Sequence, residues 1–173
     1  MISVETPRLL LRLPDESDAG PFVIIHQDRE VLEHKQVTLT APPGGIEVGV
    51  RNVNRMRRHW HQQGFGQWAV VEKSNGQVIG CVGLYHAEGW PGVDLNWIFH
   101  RERWGQGLAT EACLAALQWA WRSTDIDHII SLIAPANLRS IRVATKVGEV
   151  FEREAQDPVH WELVHVYGIQ RPG

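Results

Sequence analysis

The chain has 173 residues, 21% of them charged, a formal net charge of −3 and two cysteines. That length suits one domain over residues 1–173, and the charge gives no electrostatic basis for a nucleic-acid partner. Cys81 and Cys113 make no disulfide framework, no apolar run approaches the ~20 residues that span a bilayer, and Met1-Ile2-Ser3-Val4-Glu5 lacks a signal-peptide pattern; a reduced, cytoplasmic setting without a membrane partner is expected.

Arg8–Leu13 reads as a first strand, ended by Pro14. Asp15 is placed to cap a helix over Glu16–Asp28, with Asp18 in its first turn. A polar, irregular stretch follows and closes with Pro42-Pro43-Gly44-Gly45. Ile46, Val50, Val53, Met56 and Trp60 then recur every three or four residues, the period of a helix over Ile46–Gln63. Arg55, Arg57 and Arg58 read as its solvated face. Gln67–Glu72 and Gln77–Tyr85 are strand-like, and Ser74-Asn75-Gly76 between them is a hairpin signal. Val93–Phe99 is the next strand and Gly105–Trp121 an apolar helix. His128–Ile133 is a short buried strand, and Leu138–Val147 a helix that Gly148 can end. Glu149–Arg153 and Glu162–Gln170 make a closing antiparallel pair. Clustered strands with helices between them indicate a mixed sheet covered by helices. Of the eight tryptophans, Trp97, Trp119 and Trp121 fall inside elements and are expected in the core. Trp60, Trp90 and Trp161 either line a groove or pack half-buried.

The most informative stretch is Trp104-Gly105-Gln106-Gly107-Leu108-Ala109-Thr110-Glu111-Ala112. It lies between a buried strand and an apolar helix. Free N–H groups at such a helix start converge on one point, and the helix dipole adds positive potential there. Gly105 and Gly107, without Cβ atoms, let the backbone approach a bulky phosphate. The spacing is neither G-x-G-x-x-G nor G-x-x-x-x-G-K-[ST]. Capping and dipole pairing are the plainer account of Thr110 and Glu111. Downstream stands Asn137-Leu138-Arg139-Ser140, followed by Lys146-Val147-Gly148.

Together these segments resemble the GNAT superfamily of acetyl-CoA dependent N-acetyltransferases, and within it the RimJ/RimL-like branch of ribosomal-protein N-terminal acetyltransferases. Trp104, Gly107 and Ala109 occupy the three defined places of the family's phosphate loop, [QR]-x-x-G-x-[GA], in the W-G-x-G form typical of that branch. The second motif matches at Asn137, Ser140, Lys146 and Gly148, and Glu5-Thr6-Pro7-Arg8-Leu9-Leu10-Leu11-Arg12 is similar to the family's first strand. The resemblance implies an α/β (α+β) GNAT fold: a mixed, mostly antiparallel central sheet of about seven strands flanked by four helices. It implies pyrophosphate on the backbone of Gly105, Gln106, Gly107, Leu108, Ala109 and Thr110. It also implies a pantetheine arm along Ile98 and Phe99, and a cofactor contact at Asn137. Lys146 otherwise reads as a solvated helix-end charge.

Transfer to an amine needs the thioester held, the amine deprotonated and the leaving thiolate protonated. Many GNAT enzymes use a tyrosine where this chain has Ala144; Ser140, the branch's serine, is the candidate proton donor, its alternative being a helix-start serine bonded to backbone. Asp94 stands where the family has a strand glutamate and is the candidate base, or a structural acid; His86, Glu88 and His160 are alternatives. Cys113 reads as a small core residue, and no histidine pair has metal-ligand spacing, so no metal is expected. Phenylalanine comes two residues late in Lys146-Val147-Gly148-Glu149-Val150-Phe151, so either Phe151 takes over the core contact or Glu149 reshapes the region.

The expected acceptor is an amine, first a protein or peptide N-terminus. A small amine such as an amino acid or amino-sugar drug, and a non-catalytic CoA-binding regulatory module, are the alternatives; a homodimer stays open. The loops expected to border the acceptor hold His34, Lys35, Gln36, Asp157, His160 and Trp161, with Asp157 able to pair with an α-ammonium.

Overall fold

A computed structural model describes residues 2–33, 45–160 and 162–173. His34, Lys35, Gln36, Trp161 and most of the Pro42-Pro43-Gly44-Gly45 stretch therefore lie outside the described residues. One sheet takes in strands from Val4 to Gln170. Its members are β1 (Val4–Glu5), β2 (Leu9–Arg12), β3 (Gln67–Glu72), β4 (Gln77–Tyr85), β5 (Val93–Phe99), β6 (His128–Ile133), β7 (Val150–Gln156) and β8 (Leu163–Gln170). Their order is β1-β2-β3-β4-β5-β6-β8-β7. All neighbours are antiparallel except β5 and β6. The helices are α1 (Ala19–Gln27), α2 (Arg29–Glu33), α3 (Ile46–Gln63), α4 (Leu108–Ser123) and α5 (Leu138–Val147).

Strand alternation divides the apolar residues between the two faces. Ala69, Cys81 and Ile98 meet Phe22 and Ile25 of α1, Val31 of α2, and Val53 and Met56 of α3. Leu9, Leu11, Trp68, Val70, Val82, Leu84, Leu95 and Ile129 meet the small-residue face of α4, with Val147 of α5. Trp60, Trp68 and Trp119 pack edge-on with centroids 4.8–5.3 Å apart. Trp60 is therefore a core residue, its indole N–H donating to Gln67 O. Trp97, Trp119 and Trp121 are half-buried against that core.

The expected helix Glu16–Asp28 is divided into a 3-10 turn, Glu16–Asp18, and α1. Pro21 explains the division: it has no N–H to bond Ser17, so the α-helix starts late enough to put Pro21 in its first turn. Asp15 caps the 3-10 turn, and buried Asp18 takes a two-pronged pair from Arg12 at 2.8 and 2.7 Å. β1 and α2 are additions to the sequence expectation, giving eight strands and five α-helices among the described residues. No helix among the described residues is long and apolar enough to cross a membrane.

The α1–α3 contact is close because Gly49 has no side chain: a Cβ there would lie 2.2 Å from Ala19 O. Gly20 of α1 faces open space, with nothing within 4 Å of its Cβ position. Gly49→Ala should therefore lower the thermal midpoint, by about 1–3 kcal/mol of overpacking. Gly20→Ala should raise it, by up to about 1 kcal/mol of helix propensity. Thermal unfolding of the two variants followed by circular dichroism checks the opposite signs.

Candidate functional site

β5 and β6 share two register pairs, Val93 with Ile129 and Asp94 with Ile130. Beyond them the strands part. Leu84 N–H bonds Gly66 O beside β3, and His100 N–H bonds Ile79 O of β4. By alternation, Asp94, Asn96 and Ile98 turn their main chain to β4, while Leu95, Trp97 and Phe99 turn theirs towards β6. The next rung of a regular ladder would join Leu132 N–H to the Leu95 carbonyl. Instead Leu132 N–H donates to Asp94 Oδ1 at 3.1 Å, and the Leu95 carbonyl accepts from Ser131 Oγ at 3.0 Å. Two side chains thus satisfy the halves of an opened rung.

The parted strands hold a cavity of about 440 Å³. β5 contributes Trp97, Ile98 and Phe99, β6 contributes Ile133, and the start of α4 contributes Gly107, Leu108, Ala109 and Thr110. Asn137 and Ser140 enter from α5 and its cap. Arg103, Arg139, Arg142 and Lys146 also line it, and none of its lining residues among those described is a carboxylate. The cavity is thus a cationic environment in a chain of net negative charge.

Gly105 and Gly107 both take left-handed φ, 75° and 77°. Gly107 is the N-cap of α4 and supplies no side-chain cap, so the first N–H groups of the helix face the cavity without one. A strap from the N-terminal strand holds this turn. Arg8 donates from Nη1 to Gln106 O at 2.8 Å and from Nε to Glu111 Oε2 at 2.6 Å, while Thr6 Oγ1 donates to Glu111 Oε1 at 2.6 Å. Glu111 is therefore a tertiary anchor as well as a first-turn acid.

Of the residues expected from sequence, Ile98, Phe99, Gly105, Gly107, Leu108, Ala109, Thr110, Asn137 and Ser140 come together on the cavity. Gln106 turns away: its carbonyl accepts from Arg8, and its amide donates to Glu102 O. The main chain of Ile98 faces β4, so strand groups open to a ligand come from Trp97 and Phe99. The Phe99 carbonyl is already taken by the Trp104 indole N–H at 3.0 Å. Asn137 caps α5 by accepting Ser140 N–H. The Ser140 hydroxyl makes no hydrogen bond among the described residues. Asp94 is buried behind the cavity. Sequence reasoning passed over Arg103, Arg139 and Arg142; Arg139 and Arg142 flank Ser140 on the helix already singled out, with Arg139 stacked 4.5 Å from the Trp104 ring centre.

One expectation is corrected and one pair of alternatives is decided. Asp157 is fully buried and accepts the backbone N–H groups of Val159, His160 and Glu162, so it shapes a turn and is not open to an α-ammonium. Phe151 is 51% exposed on edge strand β7 against His165 and Tyr167, and Glu149 is 2% exposed in the core. Phe151 therefore does not take over the core contact. Among the alternative bases, Glu88 and His160 are exposed, and His86 N–H meets His59 Nε2 at 3.2 Å.

Two acids sit beneath the opened rung. Burial raises the Asp94 pKa to about 7, against hydrogen bonds from Leu132 N–H and the Asn96 side chain. Burial raises Glu149 to about 8; the Ser131 contact opposes this, and the charges of Asp94 and Glu152 add to it. Ser131 Oγ lies 3.0 Å from Leu95 O and 2.8 Å from Glu149 Oε1. A hydroxyl has one proton. With that proton on Leu95 O, a protonated Glu149 is the donor to Ser131 Oγ. Among the described residues no group of three or more His, Cys, Asp or Glu could hold a metal ion.

A model of the acetyltransferase (GNAT) domain matches residues 8–150. The protein YkkB of Bacillus subtilis (strain 168) is 27% identical over 153 residues, 83% of this chain and 82% of the relative. An acetyltransferase of the GNAT family from Bacillus anthracis superposes with a TM-score of 0.81 at 20% identity, covering 98% of this chain and 99% of that one. The ribosomal-protein-S5-alanine acetyltransferase of Vibrio fischeri superposes with a TM-score of 0.80 at 19% identity, covering 99% and 97%. These structural likenesses speak for the fold.

Glu149 ionises in the unfolded chain near the ordinary carboxylate range and in the folded chain near 8. The folded state therefore binds the extra proton between those values, and stability falls as pH rises across that window. Glu149→Gln keeps the shape and removes this dependence. It should gain on the order of 3 kcal/mol at pH 7 and flatten the decline between pH 5 and 8, leaving the smaller slope due to Asp94. Urea unfolding across that pH range measures both.

Proposed function

The chain belongs to the GNAT acetyltransferase family, and we propose that it transfers an acetyl group from acetyl-CoA to the N-terminal amine of a protein or peptide. The observation that carries this is the cation-lined cavity at the opened β5–β6 rung, bounded by an uncapped helix start. Enzymes of this family use acetyl-CoA, which supplies an acyl group activated as a thioester.

In this reading the N–H groups from Gly105 to Thr110 receive the pyrophosphate, and Arg139, Arg142 and Lys146 balance its charge. Trp97 and Phe99 offer main-chain groups to the extended arm, as an edge strand does. The Ser140 hydroxyl, without a hydrogen bond among the described residues, donates a proton to the departing thiolate. Asp94, with a pKa of about 7, takes the amine proton through water, in the range that suits a base working near neutrality. The acceptor assignment draws support from the fold likeness to an S5-alanine acetyltransferase. It also draws support from amine chemistry: an α-amine, with a pKa of ~8, has more free base at neutral pH than a lysine at ~10.4.

A matched pair of peptides tests the acceptor, one with a free α-amine and no lysine, the other blocked at the α-amine and carrying lysine. Mass spectrometry should find the first acetylated faster; preference for lysine, or for an aminoglycoside over both, rejects the assignment. Ser140→Ala should lower kcat ~100-fold or more with little change in acetyl-CoA affinity by calorimetry, and with no loss of thermal stability since no bond is removed. Asp94→Asn retains an oxygen for Leu132 N–H but cannot take a proton. Wild type should gain rate as pH rises through about 7 and Asp94→Asn should lose that rise, read from kcat/KM between pH 5.5 and 9.

A further inference from the structure

Arg55 differs from its neighbours on α3. Arg51, Arg57 and Arg58 are exposed, whereas Arg55 is half-buried. Burial lowers its pKa, and the groups acting against that are Tyr85 and Cys81, a phenol and a thiol rather than a carboxylate. Among the described residues it has no ion pair and no hydrogen bond. Residues 34–44, Met1 and Trp161, which are not described, include no Asp or Glu side chain. A guanidinium taken this far out of water is unfavourable unless an anion meets it.

Two further donors accompany it. The Asn52 Nδ2 amide, one helical turn before Arg55, is buried with no partner among the described residues, and so is the Trp90 indole N–H. Trp90 packs edge-on against Tyr85 at 5.2 Å. Tyr85 stands directly opposite Asp94 in the β4–β5 register, and residues so paired share one face of a sheet with Cβ atoms about 5 Å apart. The α3 side of Asp94 therefore carries two buried N–H donors without a partner among the described residues, together with the half-buried Arg55.

We propose that Arg55, with Asn52 and Trp90, binds a carboxylate that the acceptor carries near its amine, so that the amine is held at Asp94. The proposal rests on the acetyl-transfer reading and names the acceptor class within it. A donor set that lacks an acceptor discriminates sharply: an acceptor with no carboxylate leaves the buried donors unpaired. The carboxylate is an acidic side chain close to a peptide N-terminus or the α-carboxylate of an amino acid, and the two sources separate experimentally.

The test measures kcat/KM for two matched pairs: peptides with Glu or Gln at the second position, and an amino acid against the amine left by its decarboxylation. Each pair is run on wild type, Arg55→Met and Arg55→Lys. Wild type should prefer the carboxylate member of one pair by roughly 10- to 100-fold, the range of a charge-assisted hydrogen bond. Arg55→Met should bring that ratio near one, and Arg55→Lys should keep part of it. Thermal unfolding should find Arg55→Met no less stable than wild type, since it removes an uncompensated charge; a structural arginine would give the opposite sign. A wild-type ratio near one in both pairs, or a ratio that survives in Arg55→Met, overturns the proposal. Equal use of both peptides, with no preference in the amino-acid pair either, leaves the N-terminal reading standing and rejects the carboxylate site. Arg55-dependent use of the amino acid with neither peptide modified keeps the carboxylate site and rejects the N-terminal reading.

Discussion

The structure turns on one hydrogen bond that is not made. If Leu132 N–H met the Leu95 carbonyl, β5 and β6 would zip together and close the cavity. A bare unpaired rung inside a sheet would be unfavourable, because each buried main-chain group left alone loses its hydration without return. Asp94 and Ser131 remove that difficulty by taking one half each. The strands can then diverge at a defined residue, and Trp97 and Phe99 keep main-chain groups free for something other than β6. Glu149 supports the arrangement from below through Ser131. The opening is thus a stable feature of the sheet, prepared before any ligand arrives.

The other half of the site is held from far away in sequence. The glycine turn before α4 takes two left-handed residues and no side-chain cap, which frees its N–H groups and also deprives it of local support. That support comes from Thr6 and Arg8, about a hundred residues earlier, through Glu111 and the Gln106 carbonyl. The cations that face the cavity come from the segment before the turn and from α5. Local positive potential therefore coexists with a chain that is acidic as a whole.

Much of this was legible in the residues. α3, β3, β4, β5, β6 and α5 have the bounds expected from periodicity and turn chemistry, because those segments carry strong apolar patterns with glycine or hairpin signals at their ends. α4 begins at Leu108 and not at Gly105, since φ near +75° at Gly105 and Gly107 is incompatible with a right-handed helix. What escaped was tertiary. Asp157 reads as a free loop acid, and only the fold shows three backbone donors closing on it. Phe151 and Glu149 read as alternatives for the core contact because period two cannot reveal that β7 is an edge strand. Arg55 reads as one of a solvated run. Its burial depends on which face of α3 meets β4, and charge spacing alone does not carry that information.

The strand order has a bearing on how the chain comes to be folded. β8 lies between β6 and β7, so the two earlier strands can take their final places only around a strand synthesised after both. Until then β6 presents a free edge of apolar residues, Ile129, Ile130, Leu132 and Ile133, of the kind that invites pairing with other chains. A nascent chain made as far as β7 would hold most of the elements around the cavity yet remain open on this side. Insertion of the late strand covers that edge and completes the sheet, so the last strand made is the one that joins β6 to β7.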